Sequence, residues 1–571
     1  MKTYPANPFP ACVFRSLKQV RKNKMEVAMS HKKICSFVLG FACFVATPQQ
    51  FLWAGDNAPA GTPVLATSRT MSPGIKVEAQ YTDNPPTLTP EQSRELEERW
   101  SEADRTGPRQ PNHPAPMTTA AQRGAEMRSP KLAAPGDFNI YRDSVIPATG
   151  IAGGYGYSSF VMEPSSGVNG RFVLQTGNWY ASRFDQNAPG GGSWKYLNPF
   201  TLFGNGFCCD QVTTYLADWN QQYWVLQFGD HLALANSAGT NLNSWCYWNI
   251  DASWWGLDKT QYSIDYNDMT FTKNFVYIAS NIFGPSGGFG AILRLPIDAM
   301  NHCQGFGYNY YYDTTRFTFK PVAGATNVMY WGTNWGGNNG SDFRLYSWAE
   351  NSGTLYAYDR GIDAFNFEYR ANGQFCGSAD GVVTSWCDFN DSRVKGGYRA
   401  NGIVGFSFDA TQGSGYPFPY VRRVYFRESD LAYLGSAALW GSWGAFQYGT
   451  FAPNANGDIG GAFSWGGGTS GGSDYYPGTG YLIDDDFSPN QPWSEVYQIW
   501  GAGNTCTYGG INRWGDYLTT RPDYPAGYAW IGTGWAIKGG NCGSNGAYSE
   551  PHNVVFGRGR DASDVGRWNK K

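Results

Sequence analysis

The sequence predicts an all-β protein. It reads as a single β-propeller of seven four-stranded blades, with six as the alternative count, preceded by a disordered N-terminal segment. Three observations lead there. Aromatic residues make up 17% of the chain, charged residues 16%, and glycine fills 73 of 571 positions. That balance suits short packed strands and tight turns better than charged helices. From residue 138 onward, short apolar and aromatic runs are separated by Gly, Asn, Asp and Pro, which is strand-and-turn punctuation. The runs also repeat. RFVLQTGNWYASRFD starts at Arg171, QYWVLQFGDHLALAN at Gln222, NFVYIASNIFG at Asn274 and NVMYWGTNWGG at Asn327, about fifty residues apart. Further units start at Gly402, Gly457 and Gly527, with longer gaps that insertions explain. Seven repeats of that length fit seven blades.

The physics favours closure into a ring. A lone four-stranded sheet cannot bury both faces. Stacking blade on blade covers them, and the ring leaves few free edges. Small residues suit the crowded centre, while Trp and Tyr fill the space between blades. A parallel β-helix would need a shorter and more regular repeat.

Upstream of the repeats, residues 1–54 read as a leader. Lys32 and Lys33 precede ICSFVLGFACFVA, residues 34–46. That run has the length of a signal-peptide apolar region and is short for a membrane span. Ala46 or Ala54 would end it, Met25 or Met29 is an alternative start, and an uncleaved anchor is the rival reading. Residues 55–137 are rich in Pro, Ala, Thr and charge, so they read as a linker or pro-segment, mostly disordered. A short helix is expected near 90–105. Thr89-Pro90-Glu91-Gln92 is a capping-box pattern with proline at the first helical position, and Trp100 could dock the helix. The propeller then occupies 138–571.

Cysteine usage agrees with export. Three of the eleven cysteines lie in the leader. The other eight suggest disulfides. Cys376–Cys387 could close a hairpin, Cys506–Cys542 could tie the last blade, and Cys246–Cys303 could join neighbouring blades. Cys208 and Cys209 are adjacent and could bridge each other. With five histidines and no CxxC pair, zinc is not expected. A net charge of −3 argues against nucleic acid and anionic membranes as partners. The expected location is secreted, periplasmic or extracellular, with no membrane insertion after signal removal.

SRFDQNAPGGGSW, residues 182–194, looks like a stretched Asp-box turn, with Ser182, Asp185, Gly192, Ser193 and Trp194 as its elements. Together with EPSSGVNGRFVLQTGNWYASR (163–183), GFCCDQVTTY (206–215), NRWGDYLTTRPD (512–523) and HNVVFGRGRD (552–561), it resembles exported bacterial β-propeller proteins allied to the sialidase/BNR-repeat superfamily. The resemblance implies a propeller and secretion. Many such relatives have no assigned activity, and this chain has neither the F-R-I-P motif nor the regular Asp-boxes of sialidases.

Candidate chemistry concentrates in INRWGDYLTTRPDYPAGYAWIGTGW, residues 511–535. Arg513, Asp516 and Tyr517 there, Asp210 in CCDQ and Glu163 in MEPSSG are the candidate catalytic residues. Carboxylate, arginine and tyrosine are what a glycosidase pocket needs, and they are equally what a turn between strands holds. The loops SWWGLDKTQY (253–262), GTNWGGNNGSDF (332–343) and QYGTFAPNANGD (447–458) supply Trp255, Trp335, Asn338 and Tyr448 as candidate ligand-binding residues. Flat aromatics stack on sugar faces, and amides read hydroxyls; packing between blades is the alternative role. Asp484-Asp485-Asp486 could take Ca²⁺ or could be a solvated turn. No cofactor is expected otherwise. The expected function is binding of extracellular or cell-surface carbohydrate at the propeller mouth. The alternatives are a sialidase-like glycoside hydrolase and a protein-interaction or adhesion scaffold at the cell envelope.

Overall fold

The computed structural model describes residues 60–96, 138–146, 158–189, 192–334, 340–365, 376, 385–387, 390–411, 413, 415–441, 444–467, 475–484, 497–508 and 511–561. The leader, Trp100, Trp335 and Asn338 fall outside them. Seven antiparallel meanders form the blades: 165–197, 207–250, 263–313, 320–361, 394–439, 445–499, and 520–558 joined by residues 138–145. The innermost strand of each blade packs near the innermost strand of the next, which closes the ring. Because each blade is a four-stranded meander, the inner strands all run the same way. Their N-terminal ends gather at one mouth and their C-terminal ends at the other.

The core lies between blades and is aromatic. Trp331 stacks on Tyr346 at 4.9 Å, and Phe343 of blade 4 meets Phe406 and Phe426 of blade 5 at 5.2 and 5.3 Å. Side chains this large remove the most apolar surface from water per residue, which is what holds one sheet to the next. Nearer the axis the space closes. A Cβ on Gly167, in the inner strand of blade 1, would lie 2.8 Å from the Thr214 backbone of blade 2.

Four cysteine pairs are joined: Cys208–Cys209, Cys246–Cys303, Cys376–Cys387 and Cys506–Cys542. Among the described residues, no helix is long and apolar enough to cross a membrane.

The segment 55–137 departs from its reading as a linker. Three strands lie within it: β1 (Thr62–Leu65), β2 (Thr67–Met71) and β3 (Ile75–Glu78). They add a fifth strand to the outer edges of blades 4, 3 and 2, in that order. Thr82 then bridges to Tyr196 on the edge of blade 1. Backbone pairing holds this strap, aided by Tyr81 donating to the Leu242 carbonyl at 2.6 Å and Ser244 donating to Glu78 at 2.6 Å. Most strap side chains are exposed, so the sequence carries no apolar period to read. The edges it covers would otherwise present unpaired N–H and C=O groups. A helix opens at residue 90, where Thr89 N–H donates to Gln92 Oε1 at 2.9 Å and Gln92 N–H donates to Thr89 Oγ1 at 3.2 Å; residues 97–105 lie outside the described residues.

Blade 7 is completed by β4 (Phe138–Val145), which pairs with Tyr548–Arg558 near the far end of the chain. His552 fastens this junction. Its Nδ1 lies 2.8 Å from Asp143 on β4, and its Nε2 lies 3.0 Å from Glu550. Tyr497 donates to Asp143 at 2.6 Å, and Lys538 lies 3.7 Å from Glu550. Burial opposes protonation of His552, but the two carboxylates prevail and raise its pKa above 6.5. The protonated imidazole therefore stabilises the closed ring fully below pH 6.5, and that contribution is lost as pH rises through the higher folded value. Asp143 and Glu550 are both shifted down, so their contribution is lost at acid pH. The thermal midpoint should fall between pH 6 and pH 9 by more in the native chain than in His552→Gln. Equal slopes in the two proteins would rule this clasp out.

Candidate functional site

The chain must turn from the outer edge of one blade to the axis to begin the next. The residues at those turns and strand starts converge on one mouth. Glu163 precedes the inner strand Ser165–Val168, and Asp210 lies in Phe207–Leu216. Asp265 and Tyr266 come from Ser263–Phe271; Asp391, Arg393 and Lys395 from the start of Val394–Ala400; and Tyr448 from Ala445–Pro453. Arg513, Asp516 and Tyr517 precede Thr520–Pro522. The five catalytic candidates named from sequence are thus brought together, and Tyr448 joins them. Asp265, Asp391 and Arg393 were not singled out. Their signal was position: each stands at the start of an inner strand.

Irregular backbone aims these side chains. Glu163, Tyr266 and Tyr448 have φ of 46°, 54° and 58°. Blades 3 and 6 bulge at matching places, Asp265/Asp268 and Gln447/Thr450. A non-glycine residue in this region costs roughly 1–3 kcal/mol and persists only where its surroundings enforce it. Gly515 has φ 145°, and a Cβ there would lie 2.9 Å from Glu163 Cγ. The glycine lets the next N–H, that of Asp516, donate to Glu163 Oε1 at 2.6 Å. Asn178 donates to Glu163 Oε2 at 2.9 Å. Arg513 sits between two carboxylates, 3.7 Å from Glu163 and 3.8 Å from Asp516. Tyr517 stacks on Tyr266 at 5.1 Å, and Arg393 lies over the Tyr266 ring at 4.6 Å.

Glu163 is 1% exposed and Asp210 6%. Burial raises the pKa of Glu163, and Asp210 and Asp516 push it further. Asp210 rises to about 8 through burial, then through Asp265 and Asp516. Asp265 rises to about 6, again chiefly by burial. Glu163 and Asp210 are coupled through their charges. Such carboxyls titrate as a unit, and the pair retains a proton at neutral pH. Asp391 is the opposite case. Burial would raise it, but Arg393 and Lys395 outweigh that and hold it at about 2. The mouth thus holds carboxyls tuned in opposite directions, which is one requirement of proton transfer at neutral pH.

Other expected site residues are placed differently. Trp255 is 1% exposed, packed in the core of blades 2 and 3, so it is a structural ring and not a sugar platform. Loop composition alone does not separate these roles. Asp484 is not in a solvated turn: it is buried and paired with Arg423, which leaves it committed to a cation already present. Asp485 and Asp486 lie outside the described residues. Among the described residues no three His, Cys, Asp or Glu side chains group closely enough to hold a metal ion. The 182–194 stretch is the turn between the two outer strands of blade 1. Asp185 accepts from Asn187 N–H at 3.0 Å, and Trp194 packs on Phe184 at 5.0 Å.

No protein-family model matches the chain, and no curated protein does. Among solved structures, the chain is similar to a polysaccharide lyase, an ulvan lyase, at 10% identity and TM-score 0.28, covering 55% of this chain and 77% of that one. It is similar to a xylan β-1,4-xylosidase from Bacillus halodurans at 10% identity and TM-score 0.29, covering 58% and 78%. It is similar to the subtype N10 neuraminidase-like protein of A/little yellow-shouldered bat/Guatemala/060/2010 at 8% identity and TM-score 0.29, covering 57% and 95%. Likeness this loose extends to neither activity nor substrate. The propeller rests on the strand topology described above.

Proposed function

We propose that this protein is an exported propeller that binds extracellular or cell-surface carbohydrate at the mouth formed by the N-terminal ends of its inner strands, and hydrolyses it there. The observation that carries the hydrolytic reading is the meeting of Glu163, Asp210, Asp265 and Asp516 from four blades beside Arg513 and Tyr517. The Glu163–Asp210 pair is suited to give a proton to a leaving oxygen. A second carboxylate, Asp516, is suited to support attack on the sugar carbon or to activate water. The four cysteine pairs support export. Calcium has no role in this reading.

The test is product analysis by mass spectrometry after incubating the full chain, purified under oxidising conditions, with a broad glycan panel that includes sialylated members. Release of sugar that is lost in Asp210→Asn and Asp516→Asn is the expected result. Retention of glycans without release would make the mouth a lectin-like site. Neither release nor retention would overturn the carbohydrate reading in favour of a protein partner.

A further inference from the structure

The opposite mouth, where the inner strands end, surrounds a cavity of about 380 Å³. Thr214, Tyr215, Asn327, Thr520, Arg521 and Tyr524 are in its wall. Arg521 stands in the inner strand of blade 7 and reaches this space. Among the described residues its side chain has no hydrogen-bond or ion-pair partner, and its Nε is buried. The opposing charge that acts on it, Asp268, is already engaged: its Oδ2 lies 2.7 Å from Lys320, and its Oδ1 accepts from Met269 N–H at 2.9 Å. Thr520, which is buried, also has a hydroxyl without a partner. At the rim, Lys273 and Asp218 oppose each other in sign. The lower channel therefore carries one uncompensated positive charge. Arg393 and Arg423, by contrast, are each held by a carboxylate.

A guanidinium hemmed in by protein keeps its proton, so the imbalance cannot be relieved by titration. Its pKa falls only to about 10, through burial. Oxyanions that present two oxygens together match its fork of donors. A single excess charge matches a monoanion better than a phosphate dianion. Tyr215 and Tyr524 meet edge to face at 5.6 Å in the wall and offer apolar surface to a ring. The volume lies at the lower end of the range for small-ligand sites.

We propose that this mouth is a second binding site, taking a monoanionic ligand of sugar size whose carboxylate or sulfate-ester group is clamped by the terminal nitrogens of Arg521. The channel is thus polar along its axis, with excess carboxylates at one end and an excess cation at the other. This site is independent of the hydrolytic reading, since no residue is shared between the two mouths.

Calorimetric titration of the full chain tests it, with glucuronate, glucose 6-sulfate and glucose as probes. At least one anionic sugar should bind at least tenfold more tightly than glucose. Preference for glucuronate assigns a carboxylate ligand, and preference for glucose 6-sulfate assigns a sulfate ester. Arg521→Gln should abolish the difference. Arg521→Lys, which keeps the charge and loses the fork, should weaken binding about tenfold while keeping it above glucose. Neither anion binding more tightly than glucose would overturn the proposal. So would unchanged anion binding in either variant with a native thermal midpoint.

Discussion

Arg393→Met should destabilise the protein by about 3–5 kcal/mol, read as a drop in the urea midpoint at pH 7. Arg393 Nε lies 2.8 and 2.9 Å from the two Asp391 oxygens, and its terminal nitrogen 2.7 Å from one of them. The Asp391 side chain is 1% exposed. Removing the guanidinium leaves this carboxylate buried with only Lys395, 3.5 Å away, to oppose it. Loss of the partner costs far more than the pair contributes, because an ionised group in a low-dielectric interior has no water to fall back on. The second variant makes the argument sharp. Arg393→Met with Asp391→Leu removes both charges and should recover most of the loss. If the double variant were no more stable than the single, the cost would lie in lost packing over Tyr266 and not in the stranded charge. Asp391 also sets a direction with pH. Its folded pKa of about 2 lies below the ordinary 3.8, so its contribution is complete above pH 3.8 and fades as pH falls toward 2.

Asp210→Asn should lower the rate of glycan release roughly 10²–10⁴-fold, the range for loss of a positioned proton donor. An amide keeps the shape and cannot donate the proton. The pH profile carries the assignment. A donor is active while protonated, so kcat/KM should hold below the Asp210 value of about 8 and fall above it. In Asp210→Asn the residual rate should lose that upper limb. A variant with wild-type rates, or with the same upper limb, would exclude Asp210 as the donor. Glu163→Gln should lower the rate as well, since the two carboxyls hold the proton jointly. The two losses should not add, because either substitution dismantles the same pair.

Much of the fold is written in the sequence as repetition. Runs starting at Arg171, Gln222, Asn274 and Asn327 become strands of four successive blades. Blade spacing survives in sequence because every blade must bury both faces against its neighbours. The strap was not legible for the reverse reason. The strands TPVL, TSRTM and IKVE are held by backbone pairing, with largely exposed side chains, so no apolar period marks them. Candidate residues Glu163, Asp210, Asp516 and Tyr517 stood out because each lies in a polar turn or strand start beside an apolar run. Asp265 and Arg393 occupy the same place in their blades, but the motifs around them look like ordinary surface turns. Only the ring shows that starts of inner strands hundreds of residues apart face one another. Trp255 illustrates the converse limit: a tryptophan beside Gly and Asp reads alike whether it faces a sugar or a core.

The clasp between β4 and the C-terminal strand has a temporal consequence. Asp143 and His552 are 409 positions apart in the chain. A ribosome makes the first long before the second. Blades 1 to 6 can each pair their own strands locally, but blade 7 stays incomplete until Tyr548–Arg558 has been made, with β4 waiting unpaired. Contacts this distant in sequence form slowly and late. The strap obeys the same order, since β1 waits for blade 4, β2 for blade 3 and β3 for blade 2. The circle cannot lock while the last blade is still to come.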